Sequence, residues 1–588
     1  KCGGSGGVGG SQTGRKRDAF MAETGAAEPL SRLTPVERLA PVVRTSFGAL
    51  EGIDTGRCCI FLGVPYAEPP KRFARPEQLR PWEGTLRCCR AGPQAVQSVF
   101  NIASARQLAD WFLRLTGRRQ TPPTLPKDVS EDCLRLNIVS PSLTGCAPVI
   151  CWIHGGAFIM GSGADGLYRG SKLTRSEGVV LVSINYRLGC LGFLNLPGAD
   201  ANCGLYDQLE ALRWIQSEIR HFGGDPDNVT ICGESAGGMA CGSLLTAPLA
   251  RNLFRRAILM SGACSNVMDA DDAAVVGREF CLFATGNANA GVDALRKLSA
   301  AELLAAQWKL LTSKKSPLAF QPCVDGELVP ARPLDILAAG CEELRGKEVI
   351  LGSNLHEWHL FSLMPDAWHL RRSLRDAASD AAINLGPSRM AIEADGERSA
   401  LEAELREIMK NIRREGNLKN WAEVEKVFYT TVVFTGPVRL AAELLSRSGA
   451  AVYVYSFEFS KGDLGATHGA ELPLLFGTHA NHWFLRRLSG AGAAPEEADL
   501  LSQEFMARFG AFARTGTPTP ARRLEDGGGV QQWPQYLSGQ VPSFFVFDRH
   551  CRVAEESPES ALRDVLRLLR RTRRPYGVKR SSSVRARL

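Results

Sequence analysis

The sequence predicts an α/β fold, a mostly parallel central sheet with helices on both faces. Three observations carry this expectation. Apolar runs of strand length recur near Val149, Val179, Val229, Ala257, Val349 and Val452. Stretches of helical period separate them. In residues 205–219 the side chains of Leu205, Leu209, Leu212, Ile215 and Ile219 share one face. Finally, residues 229–245 read as a strand, a sharp turn and a helix with almost no loop between. Alternation of strand and helix is the pattern of a sheet covered on both sides. The 588 residues would ordinarily suggest about four domains at ~150 residues each, yet no internal repeat is visible.

Taken in chain order, the loops after these strands hold the chemistry. The run 147–153 ends in His154-Gly155-Gly156-Ala157-Phe158. Consecutive glycines after a strand let backbone N–H groups turn toward one point, where a developing oxyanion could be held. Next comes Gly233-Glu234-Ser235-Ala236-Gly237-Gly238. Glycines two positions either side of a serine suit a turn too tight for Cβ atoms. Ser235 is therefore the candidate nucleophile, with the Ala236 N–H as a further oxyanion donor. A nucleophilic serine needs a base and an orienting carboxylate. Glu357 follows the apolar run 348–352, and His468 lies in the glycine-flanked loop 465–473. Serine, then acid, then histidine is the order expected of a fold with this strand-turn-helix elbow. The plain alternatives are a Gly-Ser turn, a solvated loop carboxylate and a surface histidine. His154 reads as structural, and Glu234 as local support for the turn.

Longer motifs point further. Phe61 to Ala67, Ser130-Glu131-Asp132-Cys133, Asn185-Tyr186-Arg187-Leu188-Gly189, Phe222 to Thr230, Phe320 to Gly326, the 354–357 segment, the His468 loop and Trp533-Pro534-Gln535-Tyr536 occur in one order. In these the chain resembles the type-B carboxylesterases, the family of cholinesterases and liver-type carboxylesterases, from about Val42 to about Asp548. The resemblance implies an α/β-hydrolase fold with helical insertions over the active-site mouth. It implies a catalytic Ser235, Glu357 and His468, with an oxyanion hole of Gly155, Gly156 and Ala236. It also implies one large domain, residues 37–562, between a Gly-rich, basic, disordered extension (1–36) and a basic tail (563–588). The expected activity is that of a serine carboxylesterase acting on a small-molecule ester through an acyl-enzyme, without cofactor or metal. A non-catalytic interaction protein and an interfacial lipase are the alternatives.

Three departures from the family matter. Trp358 stands where relatives usually have glycine, and its ring could displace the Glu357 carboxylate. No tryptophan lies between Trp111 and Trp152, so the cation–π cage of cholinesterases is expected to be absent. Cys133 lacks its family disulfide partner, because the partner segment reads Gly92-Pro93-Gln94-Ala95-Val96-Gln97. Seventeen cysteines, several in apolar strands, then suggest a reducing compartment. His356-Glu357-Trp358-His359 imitates a zinc signature but has one residue too few between Glu357 and His359 to place both imidazoles on one helix face.

The net charge of +8 is misleading, because residues 563–588 carry +9 and the rest −1. A basic partner-binding body, and with it nucleic acid, is not expected. The tail should form a short helix over 563–570 and be disordered beyond. No secretory signal and no apolar run of membrane-spanning length are visible. The expected location is cytoplasmic, or peroxisomal through the terminal Ala586-Arg587-Leu588. The charged stretch 391–427 should be a solvated helical subdomain near the mouth. Oligomeric state is not legible.

Overall fold

Among the described residues eleven strands join edge to edge in one sheet, and the six apolar runs named from the sequence are among them. In chain order they are β1 (Ile53–Asp54), β2 (Cys59–Pro65), β3 (Arg135–Ser140), β4 (Ala147–Ile153), β5 (Val180–Ile184) and β6 (Gly224–Glu234). They continue as β7 (Arg256–Met260), β8 (Glu348–Asn354), β9 (Ala451–Phe457), β10 (Ser543–Phe547) and β11 (Arg552–Glu555). Their spatial order is β11-β10-β9-β8-β7-β6-β4-β5-β3-β2-β1. The strands from β4 to β10 run parallel, and antiparallel strands lie only at the two margins. The computed structural model describes residues 40–97, 128–314, 317–362, 395–520, 531–555 and 560–572. The expected N-terminal extension, and the tail beyond residue 572 with its terminal tripeptide, lie outside the described residues.

The parallel strands carry uninterrupted apolar runs because both faces are covered there. Every residue of β5 and of β7 is buried. Helix α1 (Cys203–Glu218) provides part of that cover, and its predicted stripe of Leu205, Leu209, Leu212 and Ile215 is fully buried. It starts at Asn202, which adopts a left-handed conformation while its side chain donates to Cys323 O and Asp325. A single residue, Ser235, separates β6 from α2 (Ala236–Thr246). Because the sheet is parallel, the loops after β4, β6, β8 and β9 all emerge at its carboxyl edge, where α/β proteins build sites.

Beyond β8, α3 (Glu357–Phe361) precedes the charged stretch predicted to be helical. That stretch forms α4 (Asp395–Glu415) and α5 (Trp421–Tyr429), parted by a turn with Asn417 at φ 48°. Asn420 caps α5 by accepting the Glu423 N–H. A π-helical turn, Thr430–Thr435, runs on from α5 into α6 (Gly436–Arg447). Pro437 offers no N–H to close a regular turn there. Helix α7 (Ser560–Thr572), longer than the expected 563–570, packs Val565, Leu568 and Leu569 inward. Gly436 lies beneath it, where a Cβ would come within 2.9 Å of Val565. No described helix is long and apolar enough to cross a membrane.

Candidate active site

At the end of β6 the chain reverses through Ser235, whose φ of 56° and ψ of −124° lie outside the regions ordinary L-residues favour. Such strain, on the order of 1–3 kcal/mol, persists only when the surroundings impose it. Here they do. The Ser235 N–H donates to Met260 O at 2.9 Å, and the Met239 N–H closes the first helical turn on Ser235 O. The flanking glycines are sterically required. A Cβ on Gly233 would lie 2.4 Å from the Gly237 carbonyl carbon, and one on Gly237 would lie 2.0 Å from Ile153 O. Ala236 is the first residue of α2, in the turn whose N–H groups have no acceptor within the helix.

The loop after β4 folds against this elbow. Gly155 is pressed so close that a Cβ would lie 2.6 Å from Glu234 O and 3.1 Å from the Ser235 Cβ. Gly156 has φ 107°, followed by Ala157 and Phe158 at φ 55° and 62°. Ile159 and Met160 both donate to Gly156 O, winding the loop tightly. His154 does not join the site. It is 1% exposed, stacked on Tyr186, with Nδ1 2.8 Å from Gly155 O. Burial pushes its imidazole down to about 4, the setting of a neutral packing residue.

The third component arrives from β8 and from the loop after β9. Glu357 opens α3 and is fully buried. Its Oε1 accepts the Asn354 N–H at 2.8 Å, and its Oε2 lies 2.6 Å from His468 Nδ1. The indole of Trp358 does not displace this carboxylate. It stacks on Tyr429 with centroids 4.5 Å apart, while the backbone N–H of Trp358 donates to Thr430 Oγ1. The His468 loop is stitched to β8 and α3 along its length. His356 N–H donates to Ala466 O, Leu360 N–H to Thr467 Oγ1, and Asn354 Nδ2 to Thr467 O. The second ring nitrogen, Nε2, is 3.1 Å from Glu234 Oε1, one residue before Ser235. That pair is close but not aligned as a hydrogen bond. Phe361 and Phe434 wall the ring, each with its centroid 4.9 Å away.

Two of these groups were not singled out from sequence. Glu471, fully buried, accepts from Asn354 Nδ2, and Phe434 is aimed at the imidazole from the π-helical turn. Glu471 stands three residues after His468, but a loop carboxylate gives no periodic signal of burial. Glu234 was expected only to support the turn, yet it faces the imidazole. Around His468 there are thus three buried carboxyls. Burial raises Glu234 to about 7 and, reinforced by Glu234 and Glu357, Glu471 to about 8. Burial pushes His468 down, but Glu234 and Glu357 outweigh it and hold the imidazole above its usual range. Among the described residues no three His, Cys, Asp or Glu side chains are grouped to hold a metal ion.

This fold has relatives. Residues 39–562 match the model of the Carboxylesterase family, and the chain belongs to that family, a group of hydrolases with the α/β-hydrolase fold. It is 32% identical to para-nitrobenzyl esterase of Bacillus subtilis (strain 168), over 89% of this chain and 98% of that protein. It is 33% identical to acetylcholinesterase of Bungarus fasciatus, over 85% and 81% of the two chains. Among solved structures, a PNB esterase superposes with a TM-score of 0.72 at 31% identity, covering 90% of this chain and 100% of the other. A Geobacillus stearothermophilus carboxylesterase gives 0.72 at 29% identity, covering 90% and 100%.

Proposed function

We propose that this protein is a serine carboxylesterase in which Ser235 is the nucleophile, His468 the general base and Glu357 its orienting carboxylate. The observation that carries this reading is the 2.6 Å contact of Glu357 with His468 Nδ1, which leaves Nε2 free of that carboxylate and 3.1 Å from Glu234 Oε1, in the residue before Ser235. A carboxylate on Nδ1 fixes the tautomer whose Nε2 can accept a proton. As Ser235 Oγ attacks an ester carbonyl, His468 takes the hydroxyl proton. The tetrahedral oxyanion is held by the N–H groups of Gly155, Gly156 and Ala236. His468 returns the proton to the departing alcohol. Water, activated by the same base, then cleaves the acyl-serine and restores the free hydroxyl. No step calls for a metal or an organic cofactor. The substrate is a small carboxylic ester. Phe361 and Phe434 keep bulk water from one side of the imidazole.

The test combines labelling and turnover. Native protein should react with a fluorophosphonate probe, and Ser235→Ala should not. Hydrolysis of p-nitrophenyl esters should fall by about 10⁶-fold in that variant. A folded native protein that neither labels nor turns over esters overturns the reading and leaves a binding module instead.

A further inference from the structure

The stretch His356-Glu357-Trp358-His359 fails the spacing of a zinc signature, and the structure shows a different arrangement. The imidazoles of His356 and His359 stack on each other with centroids 4.7 Å apart and planes 18° from parallel. His356 braces the loop that leads to His468. The Ala466 N–H donates to His356 Nδ1 at 3.2 Å. The same residue's carbonyl accepts the His356 N–H at 2.9 Å. Contact is tight, since a Cβ on Gly465 would lie 2.7 Å from His356 Nδ1.

An amide can donate to Nδ1 only while that nitrogen keeps its lone pair. His356 must therefore be neutral, with its proton on Nε2. A second proton, on Nδ1, would turn an acceptor into a donor facing an N–H. We infer that His356 is a positioning residue for the His468 loop, holding the Ala466 amide when neutral and releasing the loop when protonated. The groups facing the pair set the window. Burial and Lys426 of α5 disfavour the charged form of His356, and Glu458 after β9 favours it. Burial, His356 and Lys426 push His359 down to about 4. The inference rests on the esterase reading for its kinetic arm only.

The experiment compares native protein, His356→Asn and His356→Leu. An Asn Oδ1 can accept the same amide but does not titrate; Leu can do neither. Hydrogen–deuterium exchange of residues 464–468, corrected for intrinsic rates, is followed from pH 7.5 to pH 5. Native protection should fall at least about tenfold over this range, Asn protection should hold, and Leu protection should be low throughout. In the kinetic arm, kcat of the native enzyme should decline toward acid more steeply than that of the Asn variant, with KM alike. Native and Asn proteins that lose protection together, or a folded Leu variant with full protection at pH 7.5, overturn the inference. Absent ester turnover in every protein would count against the esterase reading alone, because the exchange arm still decides this one.

Discussion

Around Ser235 the chain is held by backbone, whereas around His468 it is held by side chains. On the serine side the determining contacts are carbonyls and amides packed where glycines leave no Cβ: Gly233 on Gly237, Gly237 on Ile153, Gly155 on Glu234. On the histidine side Glu357 is tied to Asn354 within one turn, and hydrogen bonds across more than a hundred residues of sequence join Asn354 to Thr467 and Glu471 and Glu357 to His468. Backbone packing has no proton to gain or lose. A buried network of carboxyls and an imidazole does. The two halves of one site should therefore respond differently to substitution and to pH.

The sharpest break should come from Glu357→Gln. The amide is similar in size and can keep the Asn354 N–H, but it carries no charge for the imidazole and can present a donor to Nδ1, favouring the wrong tautomer. We expect kcat to fall by about 10⁴-fold while the fold is retained. A smaller loss should follow Gly155→Ala. Its Cβ would crowd Glu234 O and the Ser235 Cβ, displacing an oxyanion donor, so kcat should fall by about 10²–10³-fold. The shape of the pH–rate profile separates the pair. Gly155→Ala should keep the native profile, scaled down, and Glu357→Gln should shift it toward acid, because the charge that helps hold the His468 proton is gone. A shifted profile in the glycine variant would remove the distinction drawn between the two sides.

That distinction also explains what was legible. The elbow and the loop after β4 were readable because a tight backbone turn demands glycine at fixed spacing, and Gly233 and Gly237 stand in the printed sequence on either side of Ser235. The parallel strands were readable because burial on both faces makes an uninterrupted apolar run, as in Val180-Leu181-Val182. Glu357 and His468 could be placed by order and by resemblance. Their supports could not. In the sequence Asn354 is only the first residue of the 354–357 segment, and Glu471 one residue of the loop 465–473. What gives each its role is a partner remote in sequence, and neither composition nor period records it. Trp358 is the instructive intermediate. The sequence marked it as a threat to the carboxylate, and only the folded chain supplies Tyr429 to receive its ring.

Trp358 accordingly tests how independent the carboxylate is of its neighbour. Replacing it with glycine removes the stack on Tyr429 and the contact with Phe361, which itself touches His468. The indole is half-buried, so we expect a loss of about 2 kcal/mol in stability by denaturant unfolding. The kcat change should be only a few-fold, since Glu357 is held by the Asn354 amide. A loss comparable to that of Glu357→Gln would mean that the indole, rather than the backbone of β8, fixes the carboxylate.

The smallest effect concerns the histidine side alone and is a matter of sign. Glu471 has an ordinary value of 4.5, raised to about 8 in the fold chiefly by burial. A group raised on folding lends stability that is full below its unfolded value and is lost as pH rises through the folded one. Between pH 5 and pH 8 the native protein should therefore lose stability that Glu471→Gln, neutral throughout and still able to accept from Asn354, does not lose. Thermal melts should show the Gln variant gaining on the native protein by a few degrees over that interval. Were the gap to stay constant, Glu471 would be ionised in the fold at every pH tested.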